Sequence, residues 1–225
     1  MCDLLEGSRL PVLDLGAGAG ALTSELVRRG HRVTAVELDP RWVSVLRRRY
    51  GTSVHVVRAD MLRFRFPEDA HNVVSNVPYS ITTDLLRRLF RQSAWQLAVL
   101  MVQWEVARKR SGASMLTASW WPWYDISLVR RVPARAFRPV PSVDGGVLTV
   151  ERRATGLLPV ADCADYQRFV RAVFTGPGAG LAGILRHHVP RPAMRRWSCE
   201  HGVDLSGLPR DLTAGQWVAL YRAAS

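Results

Sequence analysis

The 225-residue sequence holds a single lysine, Lys109, only three cysteines and just 19 acidic residues. Each scarcity excludes something. Cys2, Cys163 and Cys199 stand far apart with no CxxC pair, which argues against a disulfide framework and against a structural zinc site. No apolar run approaches the ~18 residues that a bilayer span requires. The opening MCDLLEGSRL carries acids and lacks the apolar centre of a secretory signal, so the expected compartment is the cytoplasm. Internal repeats are missing, and His187 and His188 lie in no metal-ligand spacing, so neither a metal nor a membrane is an expected partner.

The shortage of acid leaves an excess of base. Thirty-one basic residues against the 19 acidic ones give a net charge of +12, carried almost wholly by arginine. The guanidinium is a flat, forked donor that matches phosphate oxygens and stacks on bases, which favours nucleic acid over a small acidic metabolite. With 48% hydrophobic residues, the chain can fill the core of one ordinary domain plus a small appendage.

Periodicity organises the first two thirds. PVLDL (11–15) is a short buried strand that runs into GAGAG, and ALTSELVRR is an amphipathic helix stopped at Gly30. The unit repeats: RVTAVE (32–37) is a strand, Asp39 an N-cap, Pro40 the first helical residue, and WVSVLRRRY carries the helix to Gly51. SVHVV, NVVSN and QLAVLMVQ continue as strands, with helices over ITTDLLRRLFR and WEVARKR. This alternation predicts an α/β fold, a mostly parallel sheet with helices on both faces. YDISLVRRV and GGVLTVERR, split by the proline-rich AFRPVPSVD, suit a closing antiparallel pair at the sheet edge. Beyond about Ala154 only short helices are read, over DYQRFVRAVF, GLAGILRHHV, PAMRRWSCEH and TAGQWVALYRAA, the last opened by a capping box from Thr213 to Gln216. The expected division is therefore a catalytic domain over 1–152 and a small all-helical domain over 153–225.

Two motifs carry chemistry. In DLGAGAGA (14–21), glycines at 16, 18 and 20 let the chain turn sharply and bring a ligand against peptide N–H groups, with Asp14 and Ala17 in the same loop. Glu37, ending the second strand beside Leu38, can accept both hydroxyls of a ribose. Asp60 in RADML can take the exocyclic amine of an adenine while Met61 packs beside its ring. This pattern fits a dinucleotide loop and an S-adenosylmethionine loop equally well.

The second motif is SNVPYS (75–80), at the end of the fourth strand, where ligands of open parallel sheets collect. The N6 amine of adenine is a poor nucleophile because its lone pair is delocalised into the ring. The side-chain oxygen of Asn76 and the main-chain carbonyl of Val77 or Pro78 can hold its two hydrogens, leaving a pyramidal nitrogen free to attack a sulfonium methyl. Proline stiffens the turn, and Tyr79 offers a face for an extruded base.

VLDLGAGAG, VTAVELD, RADML, NVPYSITTDLLRRL and FRPVPSV, in this order and spacing, resemble the ribosomal RNA adenine N6-methyltransferases, and within them the erythromycin-resistance (Erm) group that modifies large-subunit ribosomal RNA. The resemblance covers nearly the whole chain. It implies a Rossmann-like S-adenosylmethionine-dependent methyltransferase sheet, with S-adenosylhomocysteine as product. It also implies that Gly16, Gly18 and Glu37 hold the cofactor, Asp60 and Met61 its adenine, Asn76 and Tyr79 the target base, and that Phe137 touches that base from the other side. Family members open with a segment containing a Gln-Asn-Phe-like motif, whereas ten residues precede the first strand here.

Arginines cluster around these motifs. Arg87 and Arg88 follow NVPY, Arg108 and Arg110 end a helix, and Arg130, Arg131 and Arg138 flank FRPVPSV, where they can track RNA phosphates. Trp120, Trp121 and Trp123 read as packing residues before a base-stacking platform. The expected protein is a monomer acting on protein-free ribosomal RNA. Three rivals remain: a small-subunit adenine dimethyltransferase, a non-catalytic RNA-binding assembly factor, and an NAD-dependent oxidoreductase.

Overall fold

The β-branched runs assemble as their spacing predicts. In the computed structural model, which describes residues 1–224, the strands are β1 (Val12–Leu15), β2 (Val33–Glu37), β3 (Val54–Arg58), β4 (His71–Asn76), β5 (Trp95–Gln103), β6 (Tyr124–Val132) and β7 (Gly145–Arg152). They form one sheet in the order 3-2-1-4-5-7-6. Strands β1 to β5 pair in parallel, and β7 runs antiparallel to β5. Helices α1 (Ala21–Arg28), α2 (Pro40–Tyr50), α3 (Thr82–Phe90) and α4 (Trp104–Ser111) join them.

The strand order reverses between β1 and β4, whose register places Asp14 opposite Val74. A doubly wound sheet opens its ligand crevice at such a switch point, beyond the carboxyl ends of the strands. Both chemistry-bearing motifs leave the sheet there, the glycine loop from β1 and NVPY from β4. Val12, Leu13, Leu15, Val73, Val74, Val99 and Leu100 are almost wholly buried. At about 1.5–3 kcal/mol for each buried aliphatic side chain, these residues hold the strand ends in place.

Local signals act as the sequence predicts. Asp39 caps α2 by accepting the Arg41 N–H at 2.8 Å, and Pro40 takes the first helical position. Helix α3 buries Leu85, Leu86, Leu89 and Phe90 and turns Arg87 outward.

The chain divides into two compact units, residues 1–107 with 127–152, and residues 108–126 with 153–225. A single cut at 153 does not describe this division, because 108–126 packs with the C-terminal residues. In the second unit, α5 (Met115–Ala118), α6 (Cys163–Thr175), α7 (Gly180–Leu185), α8 (Arg191–Glu200) and α9 (Ala214–Ala224) surround Tyr166, Val170, Val173 and Trp217. The tryptophan run packs inside: Trp121 and Trp123 are buried, and the Trp123 indole donates to the Leu158 carbonyl at 3.0 Å. Thr213 and Gln216 form the expected box, with Thr213 N–H to Gln216 Oε1 at 2.8 Å and Gln216 N–H to Thr213 Oγ1 at 3.3 Å. Helix α7 stops at Leu185, short of its expected end at Val189, in a run closed by Pro190, which cannot continue a helix. No helix among the described residues is long and apolar enough to cross a membrane.

Candidate active site

The glycine loop folds back on β2. Gly16 and Ala17 donate their N–H groups to the Val36 carbonyl at 2.8 and 3.2 Å, and Gly20 bonds to the Ala17 carbonyl at 2.9 Å. Gly16 has φ +73°, and a Cβ there would lie 2.5 Å from Met61 Cε. Met61 Cε therefore lies over the turn, and the positive φ is what favours glycine there.

Glu37 braces this loop. Its Oε2 accepts the Gly18 N–H at 2.7 Å and its Oε1 the Asp39 N–H at 2.8 Å. Each oxygen keeps a lone pair for a further donor. The neighbouring Leu38 is 61% exposed, an apolar side chain left uncovered at the crevice. Asp60 turns its Oδ1 inward to accept the Leu62 N–H at 2.8 Å, so one oxygen serves the local turn.

Asp14 is fully buried beneath the loop. Its Oδ2 accepts the Thr23 hydroxyl at 2.5 Å, while its Oδ1 has no partner. Burial disfavours the charged form and pushes the carboxyl up to about 6. An unsatisfied buried oxygen is costly, and this one stands two residues before Gly16, where a hydrogen-donating ligand would satisfy it.

At the end of β4, Asn76 pairs in register with Met101 of β5, and the Val77 N–H bonds to the Met101 carbonyl at 2.9 Å. This bond locks the backbone where the strand ends. The Asn76 side chain is exposed, and its amide makes no hydrogen bond within the described residues. The Pro78 carbonyl accepts the Ile81 N–H at 3.1 Å, which starts a short 3-10 turn with half-buried Tyr79. The Val77 carbonyl accepts no hydrogen bond among the described residues. Of the two carbonyls that sequence allows, Val77 is thus the one available to a ligand.

Phe137 is brought to this point by two residues that sequence reasoning missed. Its ring comes within 3.2 Å, and Met101 Sδ within 2.9 Å, of where a Cβ at Gly145 would stand. The paired glycines of GGVLTV were the available signal. Asn76, Met101 and Phe137 consequently form one contiguous wall at the carboxyl ends of β4 and β5.

The arginines separate by partner. Arg88 donates to the Phe64 carbonyl and lies 5.3 Å over the Phe66 ring, so it serves the protein's own loop. Arg87 pairs with Asp84 at the surface, Arg130 grips Asp3 through two bonds of 2.6 and 2.7 Å, and Arg131 bonds to Asp144 at 2.7 Å over the Trp104 ring. Arg138 bonds only to carbonyls of its own loop. In the second unit, Arg110 donates to the Ser114 hydroxyl at 3.0 Å, and Arg108 is exposed. A cavity of about 830 Å³ beside Arg9, Arg28 and Arg32 lies at the opposite ends of β1 and β2, away from this chemistry. No group of three metal-ligating side chains occurs among the described residues.

The arrangement offers a nucleoside cradle at β1 and β2 and, one strand over, two free oxygen acceptors beside aromatic rings. A profile of the family described as "Ribosomal RNA adenine dimethylase" matches residues 3–224. The mycinamicin-resistance protein MyrB of Micromonospora griseorubida is 56% identical over 215 residues, covering 94% of this chain and 69% of its own length. A probable ribosomal RNA small subunit methyltransferase A of Methanosarcina acetivorans is 40% identical over 172 residues, covering 73% of this chain and 63% of its own. Among solved structures, that of the 23S rRNA methyltransferase ErmE matches with a TM-score of 0.91 at 32% identity, covering 99% of this chain and 94% of that chain.

Proposed function

The chain belongs to the ribosomal RNA adenine dimethylase family, and from that premise we propose that it methylates N6 of one adenine in 23S ribosomal RNA, conferring macrolide, lincosamide and streptogramin B resistance. The observation that carries the reading is the pair of uncommitted acceptors, Asn76 Oδ1 and the Val77 carbonyl, at the switch point next to the glycine loop. The large-subunit target is favoured because the structure of a 23S rRNA methyltransferase, ErmE, matches 99% of the chain, whereas the small-subunit relative matches 73%.

S-adenosylmethionine supplies the electrophilic methyl when bound. The residues present fit it: the Gly16 cradle under Met61, the Glu37 carboxylate for the ribose hydroxyls, Asp60 and Met61 for the adenine, and the unpartnered Asp14 Oδ1 beneath the loop. Ala17, Gly18 and Leu38 complete that wall.

Tyr79 and Phe137 clasp an adenine drawn out of its stack. Asn76 and Val77 then accept its two amine hydrogens, with Pro78 stiffening the turn. Their pull favours a tetrahedral nitrogen whose lone pair is free to attack an electrophilic methyl. Bound S-adenosylmethionine would supply the methyl to this nitrogen and would leave as S-adenosylhomocysteine. The cationic amine loses its proton to water, so positioning supplies most of the rate. Arg87, Arg130, Arg131 and Arg138, with Arg108 and Arg110 of the second unit, bear on the RNA backbone, and the helices of 153–225 serve as an accessory RNA-binding region. The protein works as a monomer in the cytoplasm on protein-free RNA.

Incubation with labelled S-adenosylmethionine and protein-free ribosomal RNA, followed by primer extension, tests this reading. One stop at a 23S adenine is expected. Label confined to small-subunit RNA, or none at all, overturns it.

A further inference from the structure

The second unit carries a cavity of about 590 Å³ that the methyl-transfer chemistry does not use. Its floor is apolar. Met115 is 42% exposed, and Phe174 presents one face while the other stacks on Trp217 at 5.5 Å and 11°. Its rim is basic. Lys109 and Arg210 are both exposed and make no hydrogen bond or ion pair within the described residues. Asp211, also in the lining, is occupied in accepting the Leu208 N–H at 2.9 Å.

Met115 is not exposed through looseness. It opens α5, whose start is closed in both directions: Ser114 N–H donates to Thr117 Oγ1 at 3.0 Å, and Thr117 N–H to Ser114 Oγ at 3.4 Å. Thr117 Oγ1 also donates to the Gly112 carbonyl at 2.6 Å. An apolar side chain is thereby held outward on a short rigid turn, beside Lys109 and Arg210, which form no ion pair within the described residues.

We propose that this cavity takes one unstacked nucleotide of the RNA substrate, its base lying on Met115 and Phe174 and its phosphate held by Lys109 and Arg210. This rests on the reading of the protein as an RNA methyltransferase. An aromatic or thioether floor accepts any base through its π face, and a basic rim accepts any phosphate. The site therefore reads an unpaired conformation more than a sequence, and it places a second anchor on the RNA besides the flipped adenine. Trp121 and Trp123 of the same unit, being buried, offer no such surface.

The test uses the full chain with labelled S-adenosylmethionine and protein-free 23S RNA. Met115→Glu and Arg210→Glu are expected to raise KM for RNA about ten-fold each, equivalent to ~1.4 kcal/mol, with kcat, cofactor affinity and Tm unchanged. A photoreactive amino acid at position 115 is expected to crosslink to one unpaired nucleotide. A wild-type KM in both variants with no crosslink overturns the proposal, as does a crosslink confined to duplex RNA. Failure of the wild-type protein to label any RNA instead removes the methyltransferase reading on which the proposal rests.

Discussion

Replacing Asp14 by asparagine should make the protein more stable at neutral pH and remove a pH dependence of known sign. Asp14 is buried, one oxygen bonds to Thr23, the other has no partner, and its carboxyl is pushed up to about 6 from an ordinary 3.8. Below pH ~4 the group is protonated in folded and unfolded chains alike and costs nothing. Between ~4 and ~6 the folded state keeps the proton that the unfolded chain releases, so stability falls as pH rises. Above ~6 the full cost applies. A shift of about two pK units corresponds to about 3 kcal/mol. Asparagine is neutral throughout, so any change it makes in packing or hydrogen bonding shifts its curve equally at every pH. Urea denaturation of both proteins from pH 4 to 8 should therefore show the stability difference growing by about 3 kcal/mol in favour of Asp14→Asn. Parallel curves across that range would refute the reasoning.

Gly16→Ala, with φ +73° and a Cβ 2.5 Å from Met61 Cε, should cost about 1–2 kcal/mol and reduce cofactor affinity in calorimetry; unchanged affinity contradicts the cradle. Arg88→Ala should lower stability by about 1–2 kcal/mol and leave the salt dependence of RNA binding unaltered, because the side chain serves Phe64 and Phe66. Arg138→Ala should do the reverse, with the log–log salt slope falling by about 1 and Tm unchanged. Phe137→Ala should reduce kcat/KM for RNA about ten-fold, worth ~1.4 kcal/mol of stacking, with cofactor binding intact, and a loss of cofactor binding would place the ring elsewhere.

What sequence disclosed was local. Strand and helix succession, the Asp39–Pro40 start of α2 and the Thr213–Gln216 box each depend on residues a few positions apart, and each formed as read. The site-bearing loops were legible for the same reason, since both follow directly from β-branched runs. Partners supplied by distant chain were not legible. Nothing near Arg88 announces that the Phe64 carbonyl, 24 residues away, will take its guanidinium. The Gly145 gap that admits Phe137 and Met101 depends on β7 pairing with β5. Residues 108–126 join the C-terminal unit through burial of Ala118, Trp121 and Trp123, a tertiary outcome that no periodicity encodes. The choice of Val77 over Pro78 required a backbone geometry in which Ile81 occupies the Pro78 carbonyl.

The central claim is that two oxygens at the end of β4 make an adenine amine nucleophilic. Single-turnover methyl transfer by Asn76→Ala, with S-adenosylmethionine and RNA affinities measured on the same preparation, tests it most directly. Loss of one acceptor aimed at developing charge predicts a fall in the chemical rate of about 10²–10³-fold, with both affinities within about three-fold of the parent. A near-normal rate, or a loss confined to binding, would contradict it.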